Sequence, residues 1–158
     1  MSVFDEFGDF ACAISKGNSL LGLDLGTKTI GVAVSDRLWS IATPRLTIKR
    51  TNFGADADAL EKIILEATAG GVLLGLPVNM DGSEGPRCQS TRAFARNLAG
   101  RIDLPIGFWD ERLSTVAAER AMLEADMSRA KRAELIDHVA AGYILQGALD
   151  RLGHMANE

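Results

Sequence analysis

Long hydrophobic runs are missing from this sequence. No apolar stretch reaches the roughly 18 residues that a helical membrane span needs, so no membrane partner is expected. Cysteine is scarce as well. Cys12 and Cys88 are the only two, too few to staple a chain of this size, and they are read as thiols kept reduced. No CxxC pair or Cys/His cluster marks a zinc site, and the GxxxxGK[ST] phosphate loop is absent. Positive charge is not in excess: 17 Lys and Arg stand against 21 Asp and Glu, a net charge of −4. That excludes a histone-like basic field over the whole surface but leaves local basic patches open. Asp5, Glu6 and Asp9 stand where a secretory leader carries positive charge, so a cytoplasmic location is expected. The 158 residues suit one domain with one solid core.

What is present reads as an α/β pattern. Residues 1–18 form an N-terminal extension in which Phe4, Phe7 and Phe10 recur every third position among acids, the pattern of a short amphipathic helix covering part of the body. Residues 19–151 form the main domain, and 152–158 a C-terminal tail. The apolar runs 19–25 and 29–35, split by Gly26-Thr27-Lys28, predict a hairpin. A third extended stretch over roughly 44–50 completes a meander. Leu60, Ile63, Ile64 and Ala67 give helical spacing over 56–69, with Gly70-Gly71 expected to end that helix. Val72 to Leu76 reads as a strand buried on both faces. A loop rich in Gly, Pro and Asn follows over 77–86, then a helix over 87–100 and a strand over 105–109. Ser114 is a predicted N-cap for a helix over 115–125, and a last helix is expected over 129–151. The order is βββ-α-β-α-β-α. Strands joined by helical crossovers pair in parallel, so the expected architecture is a mixed sheet with helices on its faces.

Three acids are placed for chemistry. Asp24 shares a strand face with Leu20 and Gly22, where a carboxylate is costly unless it is paired or holds a cation. Glu111, with Asp110 beside it, lies just past the last strand. Strand phase alone does not choose between these two. Asp137 lies in the last helix among Ala133, Ala140 and Ala141, small residues that let a helix approach a sheet. If the acids converge, their oxygens suit a hard cation such as Mg²⁺ or Mn²⁺. Such sites hold two ions about 3.5–4 Å apart, which activate water and stabilise the leaving oxygen of a phosphodiester. The alternative is that Asp24 pairs with a buried arginine or caps the Gly26-Thr27 turn while the other acids are solvated. The turn itself reads either as a tight hairpin or as N–H groups, Thr27 and Lys28 approaching a phosphate. The loop from Gly75 to Gly82 reads as a rigid turn. Arg87, Arg92 and Arg96, then Arg112, then Arg129, Lys131 and Arg132 form local basic groups. They are either solvated faces or a track for nucleic-acid phosphates.

Taken together, LGLDLGTKTIGVAVSD, GLPVNMDGSEG, DERLST and DHVAAGYILQ resemble the YqgF family, also called RuvX, in the family's order and over about residues 19–151. Its members are described as pre-16S rRNA nucleases and, earlier, as Holliday junction resolvases. The resemblance implies a ribonuclease H-like fold and a metal-dependent hydrolase in the bacterial cytoplasm. It makes Asp24, Glu111 and Asp137 the catalytic, metal-holding acids, with Asp110 able to share the work. Precursor rRNA is the implied substrate, and Arg112 or Lys28 is expected to steady its phosphate, with Arg87, Arg92, Arg129, Lys131 and Arg132 along the strand. A four-way DNA junction is the alternative substrate, and a resolvase would act as a dimer, whereas a monomer or weak dimer is expected here. A non-catalytic module binding RNA or the transcription machinery is the rival of another class, and a ribosomal partner is compatible with either. The DLGTKT turn also resembles that of sugar kinases and actin-like ATPases, but those folds duplicate the domain and this chain has no room for a second half. The resemblance assigns no role to the extension.

Overall fold

A computed structural model describes residues 2–157 apart from 114–128, and for 129–138 the backbone alone. The helix expected over 115–125, with its Ser114 cap, lies outside the described residues.

The meander is there. Strands β2 (Ser19–Leu25), β3 (Thr29–Ser35) and β4 (Ala42–Lys49) pair antiparallel in sequence. The β2–β3 turn closes with the Gly26 N–H donating to the Thr29 carbonyl at 2.8 Å. Helix α2 (Phe53–Ala67) starts earlier than its apolar spacing suggests, because Asn52 caps it by accepting from the Ala55 N–H. It also ends earlier than the expected Gly70-Gly71. Thr68, in the left-handed region at φ 53°, turns the chain and donates to the Ile64 and Leu65 carbonyls. That frees both glycines to enter β5 (Ala69–Leu76). Helix α3 (Pro86–Ala99) opens with proline at its first turn, where a missing N–H costs nothing. Strand β6 (Ile106–Asp110) follows, then a 3₁₀ turn (Glu111–Leu113). Helix α4 (Arg129–Ala156) continues past residue 151, and the supposed tail contributes a buried Leu152.

The extension contributes more than a cover. Besides the expected helix, α1 (Phe7–Ala13), it supplies a short strand, β1 (Val3–Phe4), parallel to β6. The six strands run β1-β6-β5-β2-β3-β4, with β2, β5, β6 and β1 parallel. One core lies between the sheet and α2 and α3, and a second between the sheet and α1 and α4. Phe10 is fully buried in the second. It lies over two glycines: a β-carbon at Gly107 would stand 2.6 Å from the Phe10 ring, and one at Gly71 would stand 3.2 Å from it. No helix among the described residues is long and apolar enough to cross a membrane.

Candidate active site

Alternation along β2 sets the site. Leu21, Leu23 and Leu25 enter the core under α2 and α3, while Leu20 enters the core under α1 and α4. Gly22 shares the phase of Leu20, and α4 presses on it: a β-carbon there would stand 3.1 Å from the Ala141 carbonyl. Asp24 has the same phase, so its carboxylate lies on the α4 face near the end of the strand, with 4% of the residue exposed.

Glu111 reaches the same place by another route. Strand β6 ends at Asp110, and the 3₁₀ turn carries Glu111 back over the sheet. A β-carbon at Gly75 would stand 2.8 Å from Glu111 Oε1 and would also press on Ile144 of α4. Leu74 is in register with Leu23, which puts Gly75 beside Asp24 on the neighbouring strand, about 4.8 Å away. Two carboxylates from opposite parts of the sequence are thus brought to one face at the C-terminal ends of parallel strands, where sites in α/β sheets form. Neither is without an interaction partner.

Asp137 lies on the α4 backbone one helical turn ahead of Ala141, and its side chain lies outside the described residues. Among the described residues no group of three or more His, Cys, Asp and Glu is close enough to hold a metal. The carboxylate pair offers only oxygen donors, and the bare backbone at Gly75 leaves room for the Glu111 carboxylate. That chemistry fits a hard divalent cation better than zinc or copper.

Asp110, the other acid offered by the sequence, is set apart from this pair. Trp109 packs on Gly147 of α4, so Asp110, the next residue on the strand, turns to the opposite face. There it grips Arg112 through both oxygens, with Nη2–Oδ2 at 2.7 Å and Nε–Oδ1 at 3.1 Å. That guanidinium holds the Asp110 carboxyl below the usual carboxylate range. The same contact engages Nε and Nη2 of Arg112, the residue that the sequence offers for steadying a phosphate.

Arg92 is also committed. It bridges Glu84 and Asp5 at 2.7 Å each and lies over the Phe108 ring at 5.0 Å. Its role here is to tie the extension to the body. Lys28, in the β2–β3 turn, and Arg87, in the first turn of α3, are exposed near the end of β2. Arg129, Lys131 and Arg132 start α4, with side chains outside the described residues.

Two participants were not singled out by sequence reasoning. Gly75 falls both in the strand expected over Val72–Leu76 and at the start of the motif read as a rigid turn; it is a strand residue, and its missing side chain admits Glu111. An isolated glycine in an apolar run signals such close approach. Arg50 follows β4 with no motif around it, yet its Nη1 donates to the Gly26 carbonyl at 2.6 Å. Only the fold brings those two together.

A sequence model for the RuvX family, described as Holliday junction resolvase, matches residues 18–151. A pre-16S rRNA nuclease of a Ruegeria species is 67% identical over 153 residues, covering 97% of this chain and 98% of the relative. A protein of the same name from Rhodobacter capsulatus is 69% identical over 147 residues, covering 93% and 92%. Among solved structures, Thermus thermophilus RuvC in complex with a Holliday junction substrate aligns with a TM-score of 0.54 at 12% identity, over 86% of this chain and 96% of that one. At that identity the likeness bears on fold alone, and the fold is the ribonuclease H-like mixed sheet that the strand order describes.

Proposed function

We propose a function from one premise: this chain belongs to the RuvX family. It is a nuclease that hydrolyses phosphodiester bonds, and its substrate is the 5′ region of precursor 16S rRNA during ribosome maturation in the cytoplasm. The observation that carries this reading is the buried Asp24 with Glu111 folded over Gly75 beside it, in a chain 67% identical to a relative named for that activity.

Asp24 and Glu111, joined by Asp137 from α4, would hold Mg²⁺ or Mn²⁺. When bound, the metal lowers the pKa of a coordinated water and offsets charge building up on the phosphate. The chain's own contribution is placement. Asp24 is fixed by a strand buried on both faces, so its carboxylate needs little reorganisation when substrate arrives. Ile144 and Leu145 of α4 close over the neighbouring glycines and keep the floor of the site dry. Lys28 and Arg87 at the rim attract the polyanion, so binding weakens as salt rises.

A precursor rRNA 5′ fragment and a four-way DNA junction, each tested with Mg²⁺, Mn²⁺ or EDTA, separate the readings. The RNA is expected to be cut only with metal. Cleavage of the junction alone would transfer the activity to DNA, as the family's description as a resolvase suggests. Salt-sensitive binding with no cleavage of either substrate would favour a binding module.

The Gly75→Ala variant tests the placement of Glu111. Its methyl group overlaps the far ends of two side chains, Glu111 and Ile144, rather than backbone. The fold is expected to survive with a loss of about 1–3 kcal/mol. Cleavage is expected to fall roughly ten- to a hundredfold, the cost of disturbing the support of a metal-holding group. Cleavage at the wild-type rate would show that Glu111 acts from another position.

A further inference from the structure

The opposite face of the same strand ends carries a feature that the acid site does not use. A cleft of about 600 Å³ opens there, within the range of small-ligand sites (about 300–1,000 Å³). It is lined by Gly26 and Thr27 of the β2–β3 turn, by Arg50 and Thr51 after β4, and by Arg87 and Ser90 of α3.

Both arginines are held in place from below. Arg50 Nη1 donates to the Gly26 carbonyl at 2.6 Å, and Arg87 Nη2 donates to the Leu25 carbonyl at 3.2 Å. A guanidinium has five N–H donors in a planar fork, so each anchored arginine keeps donors for an anion. Arg50 is partly answered by the buried Asp56, whose Oδ2 lies 3.8 Å from Nε and whose Oδ1 accepts from the Thr51 N–H. Arg50 also lies over the Phe94 ring at 5.6 Å, which limits its swing. Arg87 has no carboxylate within ion-pair distance among the described residues. Among the described residues the cleft therefore presents two pre-placed cationic forks, the hydroxyls of Thr27, Thr51 and Ser90, and one carboxylate, already engaged; the fourth hydroxyl of the lining, that of Thr91, donates to the Arg87 carbonyl at 2.9 Å. Helix α3 adds to the positive potential, since its first turn carries no acid and Gly85 provides no side-chain cap.

We infer that this cleft is a phosphate-binding site in which Arg50 and Arg87 clamp a phosphate of the nucleic-acid strand whose neighbouring bond lies at Asp24. Residues 25–27 line the cleft while Asp24 faces the other side of the sheet, and strand residues advance about 3.3 Å each. One strand crossing the C-terminal edge of the sheet can therefore reach both places. The inference rests on the nuclease reading for the identity of the ligand, and its test does not depend on cleavage. The phosphate is either a terminal monoester or an internal diester, and the probes distinguish the two.

Binding is measured in EDTA, by calorimetry and by amide chemical shifts, using inorganic phosphate and short single-stranded RNA with a 5′-phosphate or a 5′-hydroxyl. Shifts are expected at Thr27, Thr51, Arg87 and Ser90. Arg87→Gln is expected to weaken RNA binding roughly ten- to a hundredfold, as loss of a charged hydrogen-bond donor does. Ser90→Asp, at an exposed position, is expected to do the same by adding negative charge. Tighter binding of the 5′-phosphorylated RNA assigns the cleft to a terminal phosphate, and equal binding assigns it to a backbone phosphate. Shifts confined to other surfaces, or wild-type affinity in both variants, would overturn the inference. Cleavage without cleft binding would overturn it and leave the nuclease reading intact; cleft binding without cleavage would do the reverse.

Discussion

The Asp24→Asn variant is expected to bind substrate and fail to cleave it. Loss of an outer partner of a metal ligand costs ten- to a hundredfold, so loss of the charge on an inner carboxylate is expected to lower the rate by more than about a hundredfold. The amide keeps the volume of the acid, so packing against α4 is retained. The substitution removes both the desolvation cost of a buried charge and part of that charge's interaction with its partner, two effects of opposite sign. Metal-free melting temperature is therefore expected to stay within a few degrees of wild type. Cleavage rate with Mn²⁺ or Mg²⁺ and melting in EDTA are measured on the same preparation. A folded variant that cleaves at the wild-type rate would remove Asp24 from the active site.

Phe10→Ala is expected to produce the largest loss of stability. The ring is fully buried over Gly71 and Gly107, and neither glycine has a side chain to move into the vacated space. Phe→Ala substitutions in cores cost about 3–5 kcal/mol. At about 2–4 °C per kcal/mol for a chain of this size, melting should fall by roughly 6–20 °C. Phe10→Leu fills part of the hole and should cost less. Thermal and urea unfolding read both. Near wild-type stability for Phe10→Ala would mean that the extension merely rests on the body.

Much of this architecture could be read from periodicity. Leu60, Ile63 and Ile64 mark a helix, and the uninterrupted run around Val72 marks a strand buried on both faces, because local pattern and burial agree at both places. The elements that escaped depend on distant partners. Gly71 and Gly107 make sense only once Phe10 lies over them, and Gly75 only once Glu111 does. The choice between Asp110 and Glu111 had a similar obstacle. Alternation holds while the chain is a strand, but a 3₁₀ turn begins at Glu111, and strand phase stops predicting direction there. Asp24 was legible as unusual because a charge interrupts an apolar strand, whereas Arg50 was not, since its anchors, the Gly26 carbonyl and Asp56, are brought to it only by the fold.

The parallel pairing of Val3–Phe4 with Ile106–Gly107 also constrains how the molecule is made. The ribosome releases the Phe10 segment about a hundred residues before its partner strand exists. At 5–20 residues per second, that is roughly 5–20 s in which the surface that this aromatic-rich amphipathic helix covers is incomplete. Asp5, Glu6 and Asp9 place three charges of one sign on that segment, and charge of one sign favours hydration and opposes self-association while β6 is still missing.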